Sequence, residues 1–353
     1  MPEPRYNRTV HTLALITAAA TFPLIFMGGL VTSHGAGMSV PDWPNSWGYN
    51  MFTFPPSKWV GGIRFEHTHR LAGTVVGLLS IALVLVAWKT DQRRWVRWTS
   101  VANLLAVSVQ GIIGGLRVVE SNNGLAIAHG CVAQLFFCFI ATYCVLTSRF
   151  WVEGRYRAKH QLPAVRKIWR LAVATVAVIL AQLIVGAIMR HSDAGLAIPD
   201  FPTSYGHLLP PTKIDSAFRQ EAIHRFGLNL GLSRVTLFQI WIHFTHRVGA
   251  VLVSIAVISL ATMILLRLRN QPSFSRLGYL ALLLLVAQVT LGILTVLMRK
   301  PADIASAHVA VGSLLLVTNW VIAVRAYGVV HASNGRNLGH ENGAALQYAA
   351  ARD

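Results

Sequence analysis

The segment Gly37-Met38-Ser39-Val40-Pro41-Asp42-Trp43-Pro44 returns later in the chain as Gly195-Leu196-Ala197-Ile198-Pro199-Asp200-Phe201-Pro202. Each copy comes soon after an apolar, charge-free block. Further matches occur in the same order on both sides: His69-Arg70 with His246-Arg247, Gln110 and Gly114 with Gln288 and Gly292, and His129 with His308. The sequence therefore predicts one structural unit present in two copies.

The blocks between these landmarks are long enough to cross a membrane. With 54% hydrophobic and only 12% charged residues, the chain is too apolar for a soluble globular protein. Backbone groups in lipid must satisfy one another, so blocks of this length should be helices. We expect an all-α integral membrane protein with eight spans, approximately at 11–33, 68–88, 99–117, 125–147, 168–190, 241–266, 277–298 and 304–325.

Each copy contains four spans, so both should enter the membrane from the same side as parallel four-helix bundles. The predicted domains are 1–166, 167–330 and a cytoplasmic tail at 331–353. Arg5, Arg8 and the following apolar run resemble a cleaved signal peptide, but the repeat makes the first span the counterpart of the fifth and favours its retention.

Charge predicts the orientation. Most of the 31 lysines and arginines fall in the N-terminal segment, the tail and the short loops on one side, which gives N-in and C-in topology with loops 34–66 and 191–240 outside. The net charge of +18 follows from this asymmetry. A nucleic-acid surface is disfavoured, because the charges lie in short loops between spans.

Four histidines lie within spans 2, 4, 6 and 8: His69, His129, His246 and His308. Their distance from the next inner-side charge places all four at one depth near the outer interface. Two imidazoles at one level in each half suit a haem iron, which takes one axial ligand from each face. A lone membrane histidine is more often a hydrogen-bonding residue, and zinc is the competing metal, but a closed zinc site needs more ligands than two.

Arginines near these histidines suggest partners for anionic haem propionates. Arg70 and Arg247 follow two of the histidines, and Arg117, Arg190 and Arg299 end three spans on the outer side. Snorkelling of long cationic side chains to the interface is the alternative explanation.

Glu66 distinguishes the two halves. It precedes His69 by one helical turn, whereas His243 occupies the matching position before His246. A structural need for a carboxylate would then not be shared by both halves, so we expect Glu66 to act in proton transfer or substrate positioning. A helix-start acid favoured by the helix dipole is the alternative. His67 faces elsewhere and should be structural, and the similar Glu221-Ala222-Ile223-His224-Arg225 lies in the polar outer loop and should have no such role.

These features together resemble haem A synthase: eight spans in two repeats, Glu66 with His69 and Arg70 opening span 2, and single histidines in spans 4, 6 and 8. The resemblance covers roughly residues 10–327. It departs from some family members in lacking an outer-loop cysteine pair, since Cys131, Cys138 and Cys144 all lie in span 4 and should be small packing residues.

The resemblance implies that the chain oxidises the ring methyl of haem O to a formyl group for terminal cytochrome oxidases. It implies substrate haem O on His69 and His129 with Arg70, haem b on His246 and His308 with Arg247, and Glu66 as the catalytic residue. It further implies a bacterial plasma membrane location, an unidentified electron donor, and haem O synthase and oxidase subunits as partners. A diheme electron carrier and a non-catalytic haem-handling membrane protein remain open.

Overall fold

The structure, a computed structural model, describes residues 6–154, 162–227 and 234–350, with side chains up to residue 331. In these ranges the chain is helical, apart from loops and two isolated β-bridges. Eight helices are long and apolar enough to cross a membrane, as predicted. They are α1 (Arg8–Ser33), α2 (Gly61–Thr90), α3 (Arg94–Val119), α4 (Asn123–Thr147), α6 (Leu162–His191), α8 (Leu237–Arg267), α9 (Pro272–Leu297) and α10 (Ala302–Ala350, of which Ala302–His331 has the hydropathy of a span).

Two shorter helices, α5 (Arg149–Val152) and α7 (Ser216–Phe226), lie between the long ones. Helix α7 includes 221–225, which was predicted to lie in the polar loop before span 6, and Asp215 caps the helix by accepting a hydrogen bond from Phe218 N at 2.8 Å. A capped helix of this length satisfies its own backbone outside the membrane.

Local sequence sets where the long helices begin. Asn122 caps α4 through Leu125 N, and Thr236 with Gln239 forms a capping box at the start of α8. Pro272 occupies the first turn of α9, where a missing N–H costs nothing. These three helices therefore begin with few unsatisfied backbone N–H groups.

The long helices form two rings of four. In the first ring α1 packs on α2, α2 on α3, α3 on α4 and α4 on α1, and in the second α6 packs on α8, α8 on α9, α9 on α10 and α10 on α6. Helix α10 also packs on α1 and α4, so it joins the two rings. Apolar side chains fill both rings, and Cys138 of α4 packs with residues of the second ring.

Other sequence-based expectations can be placed on this fold. The three cysteines are free, and Cys138 and Cys144 are buried, as expected for packing residues. Helix α6 begins shortly before the predicted domain boundary at 166/167. Helix α10 continues into the predicted tail at 331–353 as far as Ala350, and beyond His331 the side chains of the tail lie outside the described residues.

Candidate functional site

The four predicted histidines meet in two pairs, one inside each ring. His69 of α2 faces His129 of α4 with 6.5 Å between ring centroids, and His246 of α8 faces His308 of α10 at 6.3 Å. All four lie near the first residue of their helices, which places both pairs at the same end of the helix bundle.

The spacing suits one metal atom between each pair. Two metal–nitrogen bonds of about 2 Å, together with the distance from each bound nitrogen to the centroid of its imidazole ring, add to about 6 Å. Among the residues described by the structure, no three His, Cys, Asp or Glu side chains gather into a metal cluster. Two facing imidazoles without further ligands suit a metal that already carries equatorial ligands, as haem iron does.

A glycine of a neighbouring helix lies against each imidazole. A Cβ atom would come within 3.0 Å of the His69 ring at Gly28, 2.7 Å of the His129 ring at Gly114, 3.0 Å of the His246 ring at Gly186 and 3.0 Å of the His308 ring at Gly292. Real Cβ atoms rarely approach so closely, so each glycine makes room for the imidazole of one histidine. The sequence analysis found Gly114 and Gly292 but missed Gly28 and Gly186, although the repeat aligns them.

Glutamine amides contact three of the four histidines. Gln110 Nε2 donates to the His129 carbonyl at 2.8 Å and lies 3.1 Å from its Nδ1. Gln182 Nε2 donates to the His246 carbonyl at 2.8 Å and lies 3.0 Å from its Nδ1. Gln288 contacts His308 through both its side chain and its backbone carbonyl.

Glu66 is buried, and its carboxylate holds the outer loop. Its Oε2 accepts a hydrogen bond from Val40 N at 2.9 Å, and its Oε1 pairs with Arg70 at 2.8 Å. The Glu66 side chain is 3% exposed, so neither bond competes with bulk water.

His243 accepts the equivalent hydrogen bond from the loop of the second ring. The backbone N–H of Ile198, the counterpart of Val40, donates to His243 Nδ1 at 3.3 Å. Both halves therefore place an acceptor for this loop amide at the same position, a carboxylate in one and an imidazole in the other. A need for a carboxylate is not shared, but a need for an acceptor is, so this hydrogen bond by itself does not mark Glu66 as catalytic. What remains specific to the first ring is the negative charge of Glu66.

Arg70 and Arg247 also bind the outer loops. Arg70 donates to the carbonyls of Val40, Asp42 and Asn45 as well as to Glu66. Arg247 donates to the carbonyls of Ile198, Asp200 and Thr203. Propionate binding by these two arginines thus stays a prediction, and their described partners are backbone oxygens.

The other outer arginines differ from one another. Arg117 donates to the Gly37 carbonyl at 3.0 Å, and Arg190 donates to the Gly29 carbonyl and to Ser33 Oγ, both at 2.6 Å. Arg299 is exposed. Arg190 therefore links α6 to α1 across the two rings.

The two outer loops fold alike around their aspartates. Asp42 accepts from the amides of Trp47 and Gly48, each at 2.7 Å, and Asp200 accepts from Tyr205 at 2.7 Å and Gly206 at 2.8 Å. Burial acts to raise the pKa of each carboxyl, but these hydrogen bonds outweigh it and the pKa of both is lowered.

Two further predicted placements can be compared with the structure. His67 is buried against Phe54 and Trp59 and lies 3.2 Å from Ser46 Oγ, as a structural residue should. Glu221 and His224 are exposed on α7. They take no part in either histidine pair.

Comparison with known proteins supports one family. Residues 62–320 match the model of the cytochrome oxidase assembly protein family, COX15-CtaA. The chain is 28% identical over 263 residues to a protein named heme A synthase from Shouchella clausii, covering 73% of this chain and 84% of that protein. It is 26% identical over 360 residues to a heme A synthase from Methylobacterium radiotolerans, covering 92% and 93%.

Proposed function

Because this chain belongs to the cytochrome oxidase assembly protein family, we propose that it is a haem A synthase, which oxidises the ring methyl of haem O to a formyl group. The resemblance seen in the sequence is confirmed at the level of the family. The substrate and the reaction rest on that membership together with the site.

The observation that carries the proposal is the presence of two histidine pairs, each spaced for one metal, of which only one has a buried carboxylate nearby in sequence. Both pairs lie at the same end of the bundle. A diheme carrier that moves electrons across a membrane would place its haems toward opposite faces, so this arrangement favours an enzyme.

We assign substrate haem O to His69 and His129, and haem b to His246 and His308. Haem b held by His246 and His308 would supply one-electron redox chemistry. The chain's own contribution is to hold both haems by imidazoles, to exclude lipid and water, and to keep the Glu66 carboxylate one turn from a substrate ligand, where it can hold a proton.

The cellular setting follows from the same proposal. The protein lies in the bacterial plasma membrane as two parallel four-helix repeats, N-in and C-in, with both haem sites near the outer face and lipid around the spans. Its partners are haem O, an electron donor, haem O synthase and cytochrome oxidase subunits.

Replacing Glu66 with His tests the proposed function at the residue that distinguishes the first ring from the second. His243 shows that an imidazole can accept the loop amide, so Glu66→His keeps the acceptor and removes the charge. We expect an unchanged haem b spectrum and a loss of haem O conversion of about 10²–10⁴-fold, the usual cost of a positioned acid–base group. The measurement is chromatography of haems extracted from cells that make haem O.

The matched control is His243→Ala, which removes the acceptor from the loop of the other ring. It should affect the stability of the second loop more than the chemistry. Normal haem A formation by Glu66→His would show that Glu66 only holds its loop.

A further inference from the structure

The two histidine-bearing helices of the first ring lie diagonally across it. Helices α2 and α4 each pack on α1 and α3, so the His69–His129 pair spans the centre of the ring. Because haem iron takes one axial ligand from each face, a haem between these histidines would turn its rim toward α1 and α3. Groups that lie against α1 and α3 at this level can therefore form the walls of the site.

Helix α3 has two consecutive glycines at this level. Gly114 makes room for the His129 imidazole, and Gly115 makes room for the indole of Trp43, which a Cβ at Gly115 would overlap. Neighbouring Cα atoms are about 3.8 Å apart. The Trp43 indole therefore packs on the same turn of α3 as the His129 imidazole.

Arg70 holds the outer loop on both sides of Trp43. Its Nη1 donates to the carbonyl of Asp42 at 2.6 Å and to that of Asn45 at 2.9 Å. Arg70 follows His69 on α2, so Trp43 reaches from the ligand-bearing end of α2 to α3. The Trp43 residue is still 41% exposed. A large aromatic side chain is thus held beside the histidine pair with part of its surface uncovered.

The second ring builds this position differently. The repeat aligns Trp43 with Phe201, which lies under the Arg247 guanidinium at 5.8 Å from the ring centroid. It aligns Gly115 with Ile293, whose side chain takes up space that the glycine leaves open. Since the two outer loops otherwise fold alike, the loop fold does not by itself require an indole packed on α3.

From these contacts we propose that Trp43 is a binding residue of the first-ring site, where its indole packs against the rim of a porphyrin held by His69 and His129. Aromatic systems pack favourably edge to face or offset, and an indole buries a large area when a ligand covers it. The inference rests on the proposed function, which assigns a porphyrin to this pair. It adds a wall on the α3 side of the site, which neither the histidines nor Glu66 provides.

The first test is titration with iron protoporphyrin IX of full-length protein carrying His246→Ala and His308→Ala, so that only the first-ring site binds. Trp43→Ala should weaken binding by about 10- to 100-fold, the effect of losing one large apolar contact. Trp43→Phe leaves a smaller ring and should weaken binding less. The matched control is Trp47→Ala, because Trp47 lies in the same loop and its indole donates to the Ser39 carbonyl within that loop.

The second-ring site reports whether each variant folds. Trp43→Ala and Trp47→Ala are therefore also made in protein with His69→Ala and His129→Ala. Both variants should bind iron protoporphyrin IX at the second-ring site as tightly as protein with the two tryptophans intact.

Labelling with 5-fluorotryptophan separates contact with the porphyrin from a role in loop folding. Trp43→Phe identifies the fluorine signal of Trp43 among the 10 tryptophans. Loading the first-ring site with iron protoporphyrin IX should shift or broaden this signal more than that of Trp47, because the effects of the ring current and of the paramagnetic iron fall steeply with distance. A residue that only shapes the loop would not show this difference.

Equal affinities of Trp43→Ala and Trp47→Ala at the first-ring site would overturn the inference, and so would a Trp43 signal that changes no more than that of Trp47. Neither measurement depends on haem O conversion. If the first-ring site binds no iron protoporphyrin IX even with both tryptophans intact, the proposed function fails together with the inference. Binding that is insensitive to Trp43 overturns the inference alone.

Discussion

Single glycines decide whether an imidazole fits between the helices. Four glycines each leave the space of one methyl group to the imidazole of a histidine: Gly28, Gly114, Gly186 and Gly292. Overpacking such a space by a methyl group typically costs about 1–3 kcal/mol, and about 1.4 kcal/mol corresponds to a tenfold change in binding.

Gly114→Ala should therefore weaken haem binding at the first ring by about tenfold or more, because its Cβ would lie 2.7 Å from His129. Gly111→Ala on the same helix is the control, since nothing lies within 4 Å of its position. Titration of each variant with iron protoporphyrin IX, in protein lacking the second-ring histidines, gives the two affinities. Equal affinities of the two variants would contradict the prediction, because they would show that the His129 imidazole can move away from the added methyl group.

The sequence predicts the histidines well and their surroundings poorly. Ionisable residues in apolar spans are conspicuous, so His69, His129, His246 and His308 could be picked out directly. The partner of Glu66 could not, because Val40 N lies in a loop whose path only the structure gives. Gln182 was within reach, since its spacing to Gly186 repeats that of Gln110 to Gly114.

At the level of elements, seven of the eight predicted spans lie inside the observed helices and are shorter than them, and the span predicted at 277–298 passes the end of α9 by one residue. The second was predicted at 68–88, whereas α2 runs from Gly61 to Thr90. The prediction follows the apolar stretch of the sequence, whereas Arg64 and Glu66 continue the helix beyond that stretch. The reason is physical: helical hydrogen bonds extend into the interface, where charged side chains are tolerated.

The carboxylates that organise the two loops contribute to the stability of the folded protein. Asp200 has a lowered pKa, so its contribution to stability is complete above the ordinary aspartate pKa and is lost as the pH falls through the lower folded value. Asp200→Asn should lower the midpoint of thermal unfolding by a few degrees at neutral pH, and the difference from the wild type should close as the pH falls below the ordinary aspartate pKa and through the lower folded value.

The measurement is thermal unfolding of the detergent-solubilised protein at several pH values. Asp215→Asn is the control for removing an acid from the same region, because asparagine also caps a helix well. A gap between Asp200→Asn and wild type that stays constant through the acid range would contradict a role for the ionised carboxylate.

At the scale of the whole molecule, the positive-inside rule predicts that both histidine pairs lie toward the outer face. A membrane-impermeant reductant added to right-side-out vesicles should reduce both haems, and the same reductant enclosed inside should reduce neither at a comparable rate. Absorbance of the reduced haems reports each case. Faster reduction of one haem from the inside would favour a diheme electron carrier, whereas faster reduction of both from the inside would mean that the topology is inverted.

Because α10 packs on α1 and α4 as well as on α6 and α9, the order of synthesis matters. The ribosome completes the His69–His129 pair once α4 has been made, whereas the second pair waits for His308 on the last span. A chain still being translated therefore carries both histidines of the first pair but only His246 of the second. Any ligand that needs both His246 and His308 can be bound only after α10 has been made.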